Sequence, residues 1–381
     1  MKTKKIIHIL MTDYSVDSRV HNETTSLQKK DYEVNVFCLK SQKFNDNEYR
    51  EDVFIQRFGL GKAKILKFLS AYLFMFFKSF RQDVDLVHAH DVTALPIAYL
   101  IAKIKRVPFV YDSHELWSQS HHASSSKFLL SFVAFMERFF AKRTRHIITV
   151  SQSIQEYMKS YFKNENISLL RNIPSYTHEG EYNIFREKYA VLDDETIFLY
   201  QGLMSESRGV GLIVDTAISL LKKEPHAKFF FLGEGDALVS LKEKVREENL
   251  EKHIFFLGQI AQSDLLKYTK SADIGIHAIH NSCLNHDYCL PNKLFEYIHS
   301  DLVVVMTGLT ELSAFIHKYE IGLTFEDKNA SSLEEKLLLL LKDKNLYHTY
   351  KDNVQKLSRQ ITWENEALLL LKVYKNILEI K

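Results

Sequence analysis

Short apolar runs recur along the chain, each followed by a break and then by a stretch of helical periodicity. Ile6–Met11 is the first, and Glu33–Leu39, Val53–Phe58, Asp85–His90, Val107–Asp112 and His146–Val150 follow. Runs that are apolar without strict alternation predict strands buried on both faces, as in parallel sheets. A polar stretch at residues 175–181 interrupts the pattern, which then restarts. Thr196–Tyr200, Ala227–Leu232, His253–Leu257, Ile274–His277 and Leu302–Met306 are the second set of strands. Beyond residue 326 the periodicity is helical, with apolar faces at Leu337–Leu341 and Ala367–Leu371. Two successive α/β units are expected, at 1–174 and 175–363, with a last helix at about 364–381. A chain of 381 residues also exceeds what one simple core holds.

Residues 271–306 combine strand, irregular loop, helix and strand, and they carry the most suggestive chemistry. Pro291 suits the first position of a helix, where its missing N–H costs nothing. Lys293 falls in the first turn and Glu296 about one turn later. A helix start at the carboxyl end of parallel strands offers free N–H groups and a positive dipole end to an anion. A cation beside a carboxylate suits a ligand with both phosphate oxygens and sugar hydroxyls, such as a nucleotide sugar. An ordinary βαβ unit with a solvated Lys–Glu pair accounts for the same residues without a ligand.

Two other helices, at 62–81 and 126–145, mix aromatic and basic residues. The second sets Phe128, Leu129, Phe132, Phe135, Phe139 and Phe140 beside Lys127, Arg138, Lys142, Arg143 and Arg145. Such helices either lie in an anionic bilayer surface or pack their apolar faces on a sheet. Charge favours the first. Residues 1–172 carry 26 Lys+Arg against 17 Asp+Glu, while the rest carries 24 against 31, so the first half is expected to meet an anionic surface. Nucleic acid is not the expected partner, because these basic residues alternate with phenylalanines and no recognition motif is present.

Phe68–Phe77 is too short to cross a bilayer. Lys2, Lys4 and Lys5 precede only Ile6–Met11, which reads as a strand rather than an export signal. Cys38, Cys283 and Cys289 have no metal spacing and are expected to be reduced thiols in the cytoplasm. Two strand ends are rich in histidine, at His88-Ala89-His90-Asp91 and Tyr111-Asp112-Ser113-His114-Glu115. They lack a further ligand at fixed spacing, so no metal is expected. Asp83-Val84-Asp85 reads as solvated acids rather than a metal motif. The loop Thr12–Arg19 has no glycine, so a dinucleotide fingerprint is absent.

Taken in order, several of these motifs resemble the large retaining glycosyltransferase family 4. They are Tyr200-Gln201-Gly202 with Arg208-Gly209, Phe231-Leu232-Gly233-Glu234-Gly235-Asp236, Gly258 followed by Ala272-Asp273-Ile274, and Leu290-Pro291-Asn292-Lys293-Leu294-Phe295-Glu296-Tyr297. The histidine-rich strand ends match the family's amino-terminal domain, and the likeness runs over nearly the whole chain. It implies the α/β GT-B fold, two Rossmann-like doubly wound domains facing a central cleft, with the last helix packed on the first domain. It implies transfer of a sugar, with retention, from a nucleotide-diphosphate donor to a lipid-linked or polysaccharide acceptor, at the inner face of the plasma membrane.

Roles follow for matched positions only. Glu296 would bond the donor ribose, Arg208 would meet the diphosphate with help from Lys293, and His114 would sit near the transferred sugar. Gly258, Gln259 and Ile260 would lie along the nucleobase, and Gly202, Tyr288 and Asn292 complete the expected donor site. No cofactor or metal is expected. The family carries a glutamate eight positions before Glu296, where this chain has Tyr288. Asp287, or backbone amides near Leu290, are the expected substitutes. A nucleotide-sugar epimerase on the same fold, or a silent partner subunit, remains the alternative.

Overall fold

The computed structural model describes residues 3–41, 44–120, 127–175 and 180–379. Its apolar runs pair into two sheets. The first contains β1 (Lys4–Ile9), β2 (Tyr32–Leu39), β3 (Asn47–Arg50), β4 (Val53–Phe58), β5 (Leu86–His90), β6 (Phe109–Ser113), β7 (His146–Thr149) and β8 (Ile167–Leu169). Their order is β3-β4-β2-β1-β5-β6-β7-β8, and only β3 runs antiparallel to its neighbour. The order reverses between β1 and β5, because β1 leads outward to β2 on one side and the chain returns to β5 on the other. Helices α1 (Ser18–Gln28), α2 (Lys64–Phe80), α3 (Asp91–Lys105), α4 (Lys127–Ala141) and α5 (Gln152–Phe162) join these strands.

The second sheet is parallel throughout. It holds β9 (Thr196–Gln201), β10 (Ala227–Leu232), β11 (Ile254–Gly258), β12 (Ile274–His277), β13 (Val303–Thr307) and β14 (Gly322–Phe325), in the order β11-β10-β9-β12-β13-β14. Here the reversal lies between β9 and β12. Its helices are α6 (Ile184–Tyr189), α7 (Val210–Leu221), α8 (Leu238–Glu247), α9 (Gln262–Lys270), α10 (Leu284–Asp287), α11 (Asn292–His299), α12 (Thr310–Tyr319), α13 (Ala330–Lys342) and α14 (Lys344–Gln360). The chain ends on α15 (Trp363–Glu379).

Two units result. The first is the chain up to Ser175 with Cys283–Asn285 and the segment from Trp363, and the second is the remainder. Trp363, Leu370, Tyr374 and Ile377 share one core with Ile6, Val34 and Leu86. The attachment of α15 is also polar. Arg171 donates to the Glu366 carboxylate from its backbone N–H and from Nε, both at 2.8 Å, and Trp363 Nε1 donates to Ser26 Oγ at 2.8 Å.

Several local expectations change. Pro291 is the cap residue of α11, not its first helical residue. The cap position of α8 is Ala237. Ser151 caps α5, accepting from the Ile154 N–H at 3.3 Å. Strands β3, β8 and β14 were not expected. The expected connection at 175–181 lies mostly outside the described residues.

The two aromatic, basic helices bury only a narrow stripe. On α2, Ala71 and Met75 are inside, while Ile65, Leu66, Leu69, Leu73, Phe74 and Phe77 are exposed. On α4, Phe140 and Ala141 are inside, while Phe128, Leu129, Phe132 and Phe135 are exposed. Helix α3 lies between them and touches both. Most of the apolar surface of α2 and α4 is therefore not spent on the sheet. No helix among the described residues is long and apolar enough to cross a membrane.

The buried Glu366 carboxylate joins two distant segments, so its loss should be costly. Glu366→Ala should lower the unfolding free energy by about 1–3 kcal/mol, since it strands the Arg171 donors. Leu368→Ala, on the exposed face of the same helix, should change it by less than about 0.5 kcal/mol. Urea titration of both variants measures the contrast.

Candidate functional site

In the second unit, β9 and β12 share only two paired positions, Phe198 with Ile274 and Leu199 with Gly275. Beyond them the strands part, and Tyr297 of α11 fills the gap. Its hydroxyl lies 3.1 Å from Ile276 O and accepts from the Gln201 N–H at 3.3 Å. Gly275 makes this possible, because a Cβ there would come within 2.4 Å of the Tyr297 ring. The crevice of a doubly wound sheet opens at this kind of strand reversal, on the carboxyl side.

Three polar side chains are locked together at that crevice. Gln201, buried at the end of β9, donates to the Glu296 carboxylate and accepts from Thr269 Oγ1 at 2.7 Å. Lys293 Nζ, one turn before Glu296, lies 3.0 Å from the same carboxylate. Glu296 therefore keeps two donors and a fixed rotamer. Gly202, with φ of 146°, follows Gln201, and a Cβ there would lie 3.7 Å from Lys293 Cε.

Arg208 reaches the crevice from the turn before α7. Gly209 (φ 66°) allows this, since a Cβ there would lie 2.0 Å from Ala278 O, just past the end of β12. No carboxylate among the described residues pairs with Arg208. His277, at the end of β12, is buried with neither ring nitrogen hydrogen-bonded. Burial, and then the charges of Arg208, Lys293 and His286, push its pKa down to about 3. Burial keeps this imidazole neutral, and the charges of Arg208 and Lys293 act in the same sense.

The remaining candidates are more dispersed. Gly258 ends the edge strand β11, and the rim is continuous: Gly202 N–H donates to Leu232 O at 2.9 Å and Gly233 N–H to Gly258 O at 2.7 Å. Gln259 and Ile260 follow on that edge. Asn292 begins α11, and Tyr288 is half-buried in the segment before it. Asp287 is already committed elsewhere. It accepts from the Thr310 N–H at 3.0 Å and from Thr310 Oγ1 at 2.8 Å, so it holds the start of α12.

The first unit gathers a different cluster. Arg19 is buried and donates to Asp112 from Nε at 2.9 Å and Nη2 at 2.7 Å, and to Leu170 O at 2.8 Å. Burial opposes the Asp112 charge, but Arg19 and His114 hold its carboxyl well below the usual range. Glu23 also lies 3.1 Å from Arg19 Nε, yet burial and the Asp112 charge push its carboxyl up.

His114 Nε2 lies 3.0 Å from Asp112, and its backbone N–H donates to Asp91 at 3.0 Å. Burial works against the imidazolium, but Asp91 and Asp112 overcome it and raise the pKa to about 10. Behind it, His90 Nδ1 lies 3.2 Å from His114, His8 Nδ1 lies 2.9 Å from His90, and the Tyr374 hydroxyl of α15 meets both His8 and His88. Burial pushes the pKa of His8, His88 and His90 down.

This polar chain brings ligand-type atoms of His8, Glu23, His88 and His90 within 4.8 Å of one another. The rings, however, stack face to face, His88 on His8 at 4.5 Å and on His90 at 4.4 Å. Stacked imidazoles send their in-plane lone pairs in parallel, not to one point, and Arg19 adds a positive charge. Both features disfavour a metal ion. Sequence reading singled out His88, His90 and His114 but gave His8 and Tyr374 no role. They come from β1 and from α15, and no local spacing connects them.

Residues 16–173 match the family described as Glycosyltransferase Family 4, and residues 181–357 match Glycosyl transferases group 1. An uncharacterized glycosyltransferase of Methanocaldococcus jannaschii is 22% identical over 368 residues, 94% of each chain. An alpha-monoglucosyldiacylglycerol synthase of Streptococcus pneumoniae is 23% identical over 206 residues, 51% of this chain and 47% of that one. Among solved structures, sucrose-phosphate synthase of Thermosynechococcus elongatus superposes with a TM-score of 0.81 at 16% identity, over 99% of this chain and 100% of that one. Anabaena HepE, solved with UDP and glucose, gives 0.77 at 14% identity, over 98% and 100%. These structural likenesses establish the fold.

The raised pKa of His114 gives stability a pH signature. Its ordinary pKa is about 6.5, so its contribution is complete below that pH and is lost as pH rises toward about 10. His8, His88 and His90 act in the opposite sense, and their contribution is lost as pH falls below about 6.5. The stability difference between the native chain and His114→Gln should therefore shrink steadily from pH 6.5 to 10. Thermal unfolding across that range checks it, and a pH-independent difference would remove the ion pair from the account.

Proposed function

The chain belongs to the glycosyl transferases of group 1, and on that premise we propose a retaining enzyme that moves a sugar from a nucleotide-diphosphate donor to a lipid-linked or glycan acceptor in cell-surface glycan synthesis. It is a transferase of GT-B architecture. The observation that carries the finer reading is the pair of cations at the crevice where β9 and β12 part, Lys293 beside Glu296 and Arg208 on the turn that Gly209 seats against Ala278. Departure of a nucleoside diphosphate builds negative charge, and preorganised cations stabilise that charge without reorganising. We infer that these two residues take the place of a divalent metal.

Glu296, held by Gln201 and Lys293, is the acceptor for the donor ribose hydroxyls. Gly258, Gln259 and Ile260 meet the nucleobase, while Gly202, Asn292 and Tyr288 complete the donor site. His114 is cationic near neutral pH, so its part is to donate a hydrogen bond to the transferred sugar rather than to act as a base. With no base assigned to the protein, the departing phosphate takes the acceptor's proton, and the acceptor attacks from the leaving-group side.

The exposed apolar faces of α2 and α4, with their flanking lysines and arginines, support a position at the cytoplasmic face of an anionic membrane. The pneumococcal relative, named for a diacylglycerol glycolipid, supports a lipid acceptor.

A panel of nucleotide sugars, followed by diphosphate release on adding an acceptor, tests the reading. Arg208→Ala should lower kcat by about 10²–10³-fold with donor still bound. Glu296→Ala should weaken donor binding as well, because that contact precedes the transition state. Tyr288→Ala should do less than either. Activity should survive chelation of divalent metal, and complete loss on chelation would overturn the two-cation assignment.

Membrane attachment should appear as co-sedimentation with anionic vesicles that falls steeply with salt. Equal recovery with neutral vesicles would argue against it.

A further inference from the structure

A cavity of about 660 Å³ opens in the first unit where the strand order reverses, at the carboxyl ends of β1, β2 and β5. Its inner wall includes His90, Asp91 and Thr93, and its outer wall carries Lys62, Lys64 and Lys67. Among the described residues none of these lysines has a carboxylate within ion-pair distance. Asp91 is occupied by the His114 N–H, and Asp17, also in the wall, accepts from the Val20 N–H at 3.1 Å. The acids are engaged with the protein and the lysines are not.

The position of Lys67 is built rather than incidental. Gly59 (φ 123°) lies so close to it that a Cβ would come within 2.9 Å of its stem. The Leu60 N–H donates to Ser70 Oγ at 2.8 Å, which ties the preceding turn to α2.

One turn further along α2 the chemistry changes. A groove of about 520 Å³ runs between α2 and α3, lined by Leu69, Tyr72, Leu73, Phe76, Pro96 and Leu100. Leu69, Leu73 and Leu100 are exposed, with no cover. The two spaces adjoin. Phe68 lines one and Tyr72, a turn later on α2, the other, and Thr93 lines one while Pro96, a turn later on α3, lines the other. The Tyr72 hydroxyl donates to Thr93 O at the boundary.

A cation-lined cavity continuous with an apolar groove fits one amphiphile and neither a free sugar nor a free anion. The geometry points to a binding site for a phosphate- or diphosphate-bearing lipid, its head among Lys62, Lys64 and Lys67 and its chain between α2 and α3. This rests on the transferase reading and assigns its acceptor to phosphate-linked lipids, the head facing His90, Asp91 and thereby His114. A general affinity for anionic surfaces would need the lysines but not the groove.

Farnesyl diphosphate is a soluble probe with both parts, and Trp117, in the cavity wall, reports occupancy by its fluorescence. Binding should be saturable and at least about tenfold tighter than that of inorganic diphosphate, a difference of about 1.4 kcal/mol. The Lys62→Gln, Lys64→Gln, Lys67→Gln triple variant should weaken it by about tenfold or more. Leu73→Glu should abolish the advantage of farnesyl diphosphate over inorganic diphosphate while leaving the latter bound. Equal affinity for the two diphosphates, or an unchanged triple variant, would overturn the proposal. Nucleotide-sugar binding is measured on the same proteins. If it persists while farnesyl diphosphate fails to bind, this inference falls and the transferase reading stands. If it is absent, that reading falls, and the farnesyl diphosphate result still decides the lipid site.

Discussion

The second unit depends on a gap. Strands β9 and β12 are paired at two positions and then separate, which leaves backbone groups of a buried sheet without strand partners. Buried backbone groups need partners, and the Tyr297 hydroxyl serves two of them, donating to Ile276 O and accepting from the Gln201 N–H. That arrangement fixes α11 against the sheet, and α11 carries Lys293 and Glu296 on the turn just before Tyr297. The spacing of the candidate site is thus set by a core requirement. Gly275 gives up its side chain so that the ring fits, and Gln201, the next residue on the open seam, points its amide at Glu296. A rigid frame of this kind holds charged groups in place before a ligand arrives.

The first unit meets a similar problem with charge. Burying Arg19 beside two carboxyls is costly unless the charges balance. Arg19 holds the Asp112 carboxyl well below its usual range, while burial and the Asp112 charge push Glu23 up, so the guanidinium's main partner is Asp112. His114 then shares Asp112 from the more open side and becomes cationic, while the three histidines behind it stay neutral. A single carboxylate organises both the interior and the half-buried imidazolium.

Much of this architecture was legible in the chain. Strands buried on both faces leave apolar runs, so most of the strands stood out, as did the restart after residue 181. The strands that escaped lack that signature. Asn47–Arg50 is a mostly exposed polar edge, Ile167–Leu169 is three residues long, and Gly322–Phe325 opens on a glycine. Lys293 and Glu296 were readable because helix spacing brings them together. Arg208 was readable only through family likeness, since its approach depends on Gly209 meeting Ala278. Asp287 holds Thr310, a partner no local pattern reveals. His8 and Tyr374 could not be joined in advance, being 366 positions apart.

That separation has a consequence for how the protein is made. The core of the first unit is closed by Trp363, Leu370, Tyr374 and Ile377, and the stack of histidines is completed by a hydroxyl from the same helix. On a ribosome the first 175 residues emerge long before that helix exists. At usual elongation rates the roughly 190 residues between them take on the order of 10–40 s. Through that interval the nascent first unit exposes an apolar groove and an uncovered polar cluster, while the second unit is being synthesised and is free to fold. The order of completion is therefore the reverse of the order of synthesis, and the unit begun first is the last to be finished.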